Sequence, residues 1–297
     1  MGCGGICVLY LIVNPVAGHG RCAHIAETLQ ALLHQTGLPF VVRTTQEPGQ
    51  AERLAREAAK DGARLVLCAG GDGTALEAAR GLCGTQAALG VLPCGTGNDF
   101  ARTLGLPKSP SDALGALLSG TARAVDVGHI NGHPFLNACG AGFDAQTVHA
   151  AQRAKRLGRG MLPYLYGVVD TLLHYRPLRM TIQTDDAAPQ DRECLLCLVA
   201  NGRYIGGGMH VAPCARIDDG LLDLIYIDPL PRHMIVRLLP KLIRGEHMAY
   251  TQLVHHARVR SARIDCPGML LQCDGELQTM DRAVFSIEPA RLLLQMP

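Results

Sequence analysis

The stretch Leu65–Thr74, LVLCAGGDGT, has the residue types and spacing to hold a phosphate. An apolar run enters Gly70-Gly71-Asp72-Gly73-Thr74, and the helix-forming Ala75-Leu76-Glu77-Ala78-Ala79 follows. This predicts a strand, a glycine turn and a helix N-terminus. Glycines let backbone N–H groups approach a phosphate, and a helix start favours negative charge. Asp72 stands where a partner for magnesium and phosphate is needed. Taken alone, the motif is explained equally well by a plain strand-to-helix turn. Two further glycine-rich loops share its setting, Asn14-Pro15-Val16-Ala17-Gly18-His19-Gly20 and Pro93-Cys94-Gly95-Thr96-Gly97-Asn98-Asp99. Ligands of open α/β sheets bind beyond the carboxyl ends of the strands. Three such loops on one edge predict a nucleotide or other phosphate-rich ligand.

Phosphoryl transfer also needs an acid for magnesium and a base near the acceptor. Asp218-Asp219-Gly220-Leu221-Leu222-Asp223 and Asp274-Gly275-Glu276 offer carboxylates in tight turns, and both read equally as hairpin turns. Glu276 is the sharper candidate, because an acid follows Asp-Gly directly after the apolar run Met269–Cys273. Asn137 and Asp144 stand around glycine turns, where capping and function are both open. His255-His256 reads as a surface loop. No HExxH arrangement is present.

The elements that must position these residues fall into two textures. Strands are expected over Ile6–Val13, Pro39–Thr45, Leu65–Cys68 and Leu89–Leu92. Helices are expected over Arg21–His34, Gln50–Asp61, Thr74–Leu82, Phe100–Leu104 and Asp112–Leu118. Strict alternation implies an open, mostly parallel α/β domain over residues 1–124. From 125 to 289 short strands dominate: Phe135–Ala138, Met180–Thr184, Cys194–Asn201, Gly208–Ala212, Leu221–Ile227, Ala257–Ile264, Leu270–Cys273 and Ala283–Glu288. Turn residues separate them, the pattern of an all-β sandwich or barrel. Helical insertions are expected near Gln146–His174 and Pro231–Arg244. The apolar tail within 290–297 is expected to pack back on the body.

The chain has 297 residues and a net charge of only +2, so the total charge predicts no nucleic-acid partner. Basic residues concentrate in Arg153–Arg179 and Arg232–Arg263, which could meet anionic lipid or nucleic acid. The alternative is a solvated face. No apolar run reaches the length of a transmembrane helix, and Ile6–Val13 lacks the flanks of a secretion signal. The 12 cysteines follow no framework spacing and read as free thiols in a reducing cytosol. Cys194 and Cys197 are expected on opposite faces of one strand, which disfavours a shared metal. No GxxxxGK[ST] is present. Val42-Arg43-Thr44-Thr45 supplies no acid after the second strand, which disfavours a dinucleotide oxidoreductase.

In order, Asn14-Pro15-x-Ala17-Gly18, Gly70-Gly71-Asp72-Gly73-Thr74, Pro93-x-Gly95-Thr96-Gly97-Asn98-Asp99-Phe100-Ala101-Arg102, Phe143-Asp144-Ala145, Asp219-Gly220-Leu221-Leu222-Asp223 and Asp274-Gly275-Glu276 resemble the diacylglycerol kinase catalytic-domain family. The compact bacterial lipid kinases are the best match, over nearly the whole chain. GGDG is shared with NAD kinases and 6-phosphofructokinases, and GTGNDFAR separates the chain from both. The resemblance implies a nucleotide domain and a C-terminal β-sandwich with the active site in the cleft between them. It implies ATP contacts from Asn14, Pro15, Ala17, Gly18, Gly70, Gly71, Gly73, Thr74, Glu77 and Thr96, with one of Thr44 and Thr45 helping. Asp72 would act on the phosphate–Mg2+ network, and Glu276 would be the base. Asp219 would ligate magnesium beside the backbone oxygens of Arg216 and Leu221. Asn98, Asp99 and Arg102 would line the acceptor side. His19 and Arg21 depart from the lysine or small polar residues of many members, and Arg21 is the candidate cation for the phosphates. The implied activity is ATP-dependent phosphorylation of a membrane-lipid hydroxyl by a cytoplasmic, peripherally membrane-associated enzyme. A kinase of a soluble acceptor such as NAD, or a weakly catalytic nucleotide-binding regulator, stays open. So does a homodimer.

Overall fold

The computed structural model describes residues 9–154 and 162–297, without the side chains of 162–164. The chain divides into two compact units, Met1–Asp126 with Pro289–Pro297, and Val127–Glu288.

The first unit is an open parallel sheet. Its strands are β1 (Leu9–Val13), β2 (Phe40–Thr44), β3 (Leu65–Gly70) and β4 (Ala88–Pro93), in spatial order β4-β3-β1-β2. Helices α1 (Arg21–Gln35), α2 (Gln50–Lys60), α3 (Asp72–Leu82), α4 (Asp99–Thr103) and α5 (Pro110–Ser119) alternate with them. β1 and β4 are buried along their whole length, as parallel strands covered on both faces must be. The chain leaves through β5 (Thr121–Ile130) and returns at the end of β14 (Glu276–Met296), where Leu294 pairs with Leu89 of β4. Leu292 and Leu294 are fully buried there.

The second unit is antiparallel. Strands β6 (His133–Phe135), β7 (Ala138–Gly142), β8 (Leu178–Thr184), β9 (Gln190–Cys194), β10 (Leu196–Ala200), β11 (Leu222–Ile227), β12 (Val254–Val259) and β13 (Ser261–Cys273) join β5 and β14. One hydrophobic cluster, with Phe135, Ile182, Val199, Ile264 and Phe285, fills a β-sandwich. A second cluster lies on the other side of β10 and β11, under helices α6 (Phe143–Arg153), α7 (Leu162–His174) and α8 (Arg232–Ile243). β13 pairs with β8 early and with β7 late. A register shift at Asp265/Met269, spanning Pro267 and Gly268, lets one strand serve both pairings.

Several expected elements differ. α3 begins at Asp72, so Gly70 ends β3, Gly71 caps the helix, and Asp72 and Gly73 already belong to it. The strand expected over Cys194–Asn201 is interrupted at Leu195, and Cys194 and Cys197 fall in the same core cluster. Leu195 and Leu196 consequently face the same side, into the second cluster. Gly208–Ala212 forms no strand, only the isolated bridge Ile205–Met209. His255 and His256 lie in β12, paired to Asp228 and Asp223, and are not a loop.

Candidate active site

In the first unit, residues from four segments line one cavity of about 720 Å³. The β1–α1 loop supplies Asn14, Pro15, Ala17 and Gly18, and α3 supplies Gly71, Gly73, Thr74 and Glu77. Gly95 and Thr96 come from the β4–α4 loop, and Thr44 and Thr45 from the end of β2. The predicted nucleotide residues are thus brought together, apart from Gly70, Asp72 and Arg21, which do not line the cavity. Gln46, Glu47 and Pro48, just past β2, also line it. Sequence reasoning missed them, since no motif marks that loop.

The loops touch one another, and that contact explains much of the glycine. A Cβ at Gly18 would lie 2.4 Å from the Cys94 carbonyl oxygen, and one at Gly95 2.5 Å from the Gly71 Cα. The Asn14 amide donates to Thr74 Oγ1 at 2.8 Å, tying the first loop to α3. Asn98, at φ 52°, accepts from the Gly95 N–H (2.9 Å) and donates to the Gly95 carbonyl (3.0 Å). It clasps its own loop closed. Asp72 Oδ1 accepts from the Phe100 N–H at 2.9 Å, joining the starts of α3 and α4. Among the described residues, Asp72 Oδ2 and the N–H groups of Asp72, Gly73 and Thr74 have no hydrogen-bond partner. Helix-start amides of this kind bind anions.

Four predicted residues have structural employment. Both Glu77 oxygens accept from the start of α2, from Gly49 N–H (2.9 Å) and Ala51 N–H (3.1 Å). Arg21 Nε donates to the Gly18 carbonyl at 3.0 Å, which holds its guanidinium at the first loop. Asp99 is buried, with Arg102 Nε 4.0 Å from its Oδ1, and Arg102 also donates to the Gly97 carbonyl.

In the second unit, Asp274 and Gly275 occupy a two-residue turn with φ of 46° and 90°, between the paired Cys273 and Glu276. Such positive angles favour Asp-Gly in tight hairpins. Asp274 is a clasp: its carboxylate accepts from the N–H groups of Leu136 (2.8 Å), Asn137 (2.9 Å) and Ala138 (3.2 Å). Glu276, the first residue after the turn, is exposed. Gln272 accepts from the Gly275 N–H at 3.0 Å and faces Asp144 Oδ2 at 3.4 Å. Burial pushes the Asp144 carboxyl up to about 6. Asn137 is buried, and its Oδ1 has no partner among the described residues.

Asp219 accepts from the Leu221 N–H at 3.1 Å, and its other oxygen accepts from Arg258. A magnesium ion bound through that oxygen would have to displace the guanidinium. Among the described residues no group of three His, Cys, Asp or Glu side chains could hold a metal. Buried Asp223 meets His256 Nε2 at 2.5 Å; burial raises its pKa and the imidazole opposes the rise.

An open α/β unit with converging glycine loops, joined to a β-sandwich, defines a class of kinase folds. The chain belongs to the diacylglycerol kinase family: residues 8–130 match the diacylglycerol kinase catalytic domain, and 137–296 match the YegS C-terminal NAD kinase beta sandwich-like domain. It is 31% identical over 292 residues to a "Diacylglycerol kinase" of Mycobacterium tuberculosis, covering 96% of this chain and 94% of the relative. It is 36% identical over 288 residues to a Pseudomonas aeruginosa protein named "Probable lipid kinase YegS-like", covering 94% and 92%. A crystal structure of a diacylglycerol kinase from Bacillus anthracis superposes with a TM-score of 0.74 at 23% identity, covering 100% and 98%. An NAD kinase from Archaeoglobus fulgidus in complex with ATP gives 0.53 at 14%, covering 97% and 93%. These likenesses support the fold.

Proposed function

We propose that the chain is an ATP-dependent lipid kinase that phosphorylates a primary hydroxyl of a membrane lipid. The observation that carries this reading is the loop-lined cavity with the unpaired amides of α3 at its rim. Those amides would hold the triphosphate, with Thr44 or Thr45 and Thr96 beside the nucleotide. Magnesium would neutralise phosphate charge, and Asp72 Oδ2 is the carboxylate oxygen open to that network. Glu276 would take the proton of the lipid hydroxyl, whose oxygen attacks the γ-phosphorus as the bond to the ADP oxygen breaks. Its exposure suits a base that meets an incoming acceptor. Arg102 is the acceptor-side candidate, whereas Asn98 serves its loop.

Contact with an anionic membrane is assigned to α7 and its flanks. Leu165, Val169 and Leu173 are exposed on one face of α7, with Tyr166 beside them and Arg176 and Arg179 just beyond. Arg156, Arg159 and Met161, which belong to the same predicted stretch, lie outside the described residues. No helix among the described residues is long and apolar enough to cross a membrane.

Labelled ATP incubated with diacylglycerol, phosphatidylglycerol, a sphingoid base, ceramide and NAD tests the reading. Transfer to a lipid, lost in Glu276→Gln, is expected. Transfer to NAD alone, or undiminished lipid transfer in Glu276→Gln, refutes it.

A further inference from the structure

Cys139 on β7 and Cys273 on β13 are directly opposed in an antiparallel pair. The Asp274 N–H donates to the Ala138 carbonyl at 3.1 Å. That bond flanks the cysteines, so they form a non-hydrogen-bonded pair, in which opposed Cα atoms are about 4.5 Å apart and side chains are closest. Both side chains serve the same core cluster. Cys139 is buried, whereas Cys273 is only half-buried. Cys273 is also the partner of Glu276 in the pair that closes the hairpin.

We propose that Cys139 and Cys273 form a thiol–disulfide modification site at the root of the Glu276 hairpin, closed by an oxidant of the hydroperoxide class. The Cys273 sulfur attacks one peroxide oxygen, the O–O bond breaks, and a sulfenic acid forms with release of one water from hydrogen peroxide, or of the alcohol from an organic hydroperoxide. The Cys139 sulfur then attacks the sulfenic sulfur. The S–S bond forms, and the hydroxyl leaves with the Cys139 proton as water. The two thiols lose two electrons and the peroxide gains them.

A second pair of cysteines, Cys22 on α1 and Cys94 in the β4–α4 loop, lies in the first unit. Both of its members are fully buried, so a peroxide reaches Cys273 first. Closing the cross-strand bond brings the Cβ atoms to about 3.8 Å, from the roughly 4.5–5.5 Å of an open pair. A displacement near 1 Å at a catalytic group can lower the rate about a hundredfold. This consequence rests on the Glu276 reading; the bond itself does not.

The test treats the full-length protein with hydrogen peroxide, alkylates free thiols and maps proteolytic peptides by mass spectrometry. A peptide linking Cys139 to Cys273 is expected, reversed by dithiothreitol and absent from Cys139→Ala and Cys273→Ser. Lipid phosphorylation should fall about ten- to a hundredfold on oxidation and recover on reduction, while Cys139→Ala keeps its activity in peroxide. Free Cys273 at doses that modify exposed Cys214, or a link confined to Cys22 and Cys94, overturns the site. A formed bond with unchanged activity overturns its coupling to the hairpin. If no lipid is phosphorylated even before oxidation, the kinase reading fails and the peptide map still decides the bond.

Discussion

Gly95 and Gly73 both line the cavity, yet alanine should act oppositely at the two. A Cβ at Gly95 would lie 2.5 Å from Gly71 Cα and 2.8 Å from Asn98 Oδ1, whereas one at Gly73 meets nothing within 4 Å. Carbon atoms pack at about 3.5–4.0 Å, so Gly95→Ala must push the loops around Gly71 and Gly95 apart by roughly 1 Å. Overpacking of this kind costs about 1–3 kcal/mol, or about 2–12 °C in Tm for units of this size. Gly73 stands in the first turn of α3, where alanine gains up to about 1 kcal/mol of helix propensity. Its methyl group would, however, intrude on a phosphate held against that amide. Thermal unfolding with and without ATP and magnesium, together with KM for ATP, separates the effects. Gly95→Ala should melt early and bind ATP weakly. Gly73→Ala should melt no earlier than the parent but lose most of its ATP-induced stabilisation. A Gly73→Ala protein that keeps the full ATP shift refutes the phosphate cradle, and a Gly95→Ala protein of parental Tm refutes the loop contact.

Asp274→Ala leaves three N–H groups without their acceptor and should cost about 1–3 kcal/mol in urea unfolding. Glu77→Gln weakens the charged cap on α2 and should cost about 1 kcal/mol by the same measurement, whether or not ATP is present. The Asp144 carboxyl is raised by burial from 3.8 to about 6, so the folded chain holds a proton there that the unfolded chain lacks. Its contribution to stability is greatest below the lower value and falls as pH rises through that window, by at most about 3 kcal/mol. Urea unfolding of Asp144→Asn between about pH 4 and 7 should lack this fall.

The first unit was legible because its signals are local. Apolar runs such as Leu9–Val13, ending in glycine loops and alternating with helix-forming stretches, specify a parallel sheet without long-range information. The second unit blurred where pairing decides. Leu195 interrupts an apolar run that reads as one strand, because Cys194 and Cys197 must both reach the sandwich core while Leu195 and Leu196 fill the other cluster. No period-2 pattern reveals that. β13 likewise reads as two strands, because Pro267 and Gly268 punctuate it although its pairing with β14 resumes at Met269.

At the candidate site, residue type announced the carboxylates but not their employment. Asp274 and Glu276 are equivalent by composition, and the turn separates them: Asp274 points back onto three amides while Glu276 is exposed beyond the turn. The same division holds at GTGND, where Asn98 is consumed in closing its own loop. Glycines divide too. Gly18, Gly70 and Gly95 are required by neighbouring protein atoms, whereas Gly73 has open space where a side chain would go. Of these four, only Gly73 has no packing reason to be glycine, so the helix-start amide beside it is where a ligand, rather than the fold, accounts for the residue.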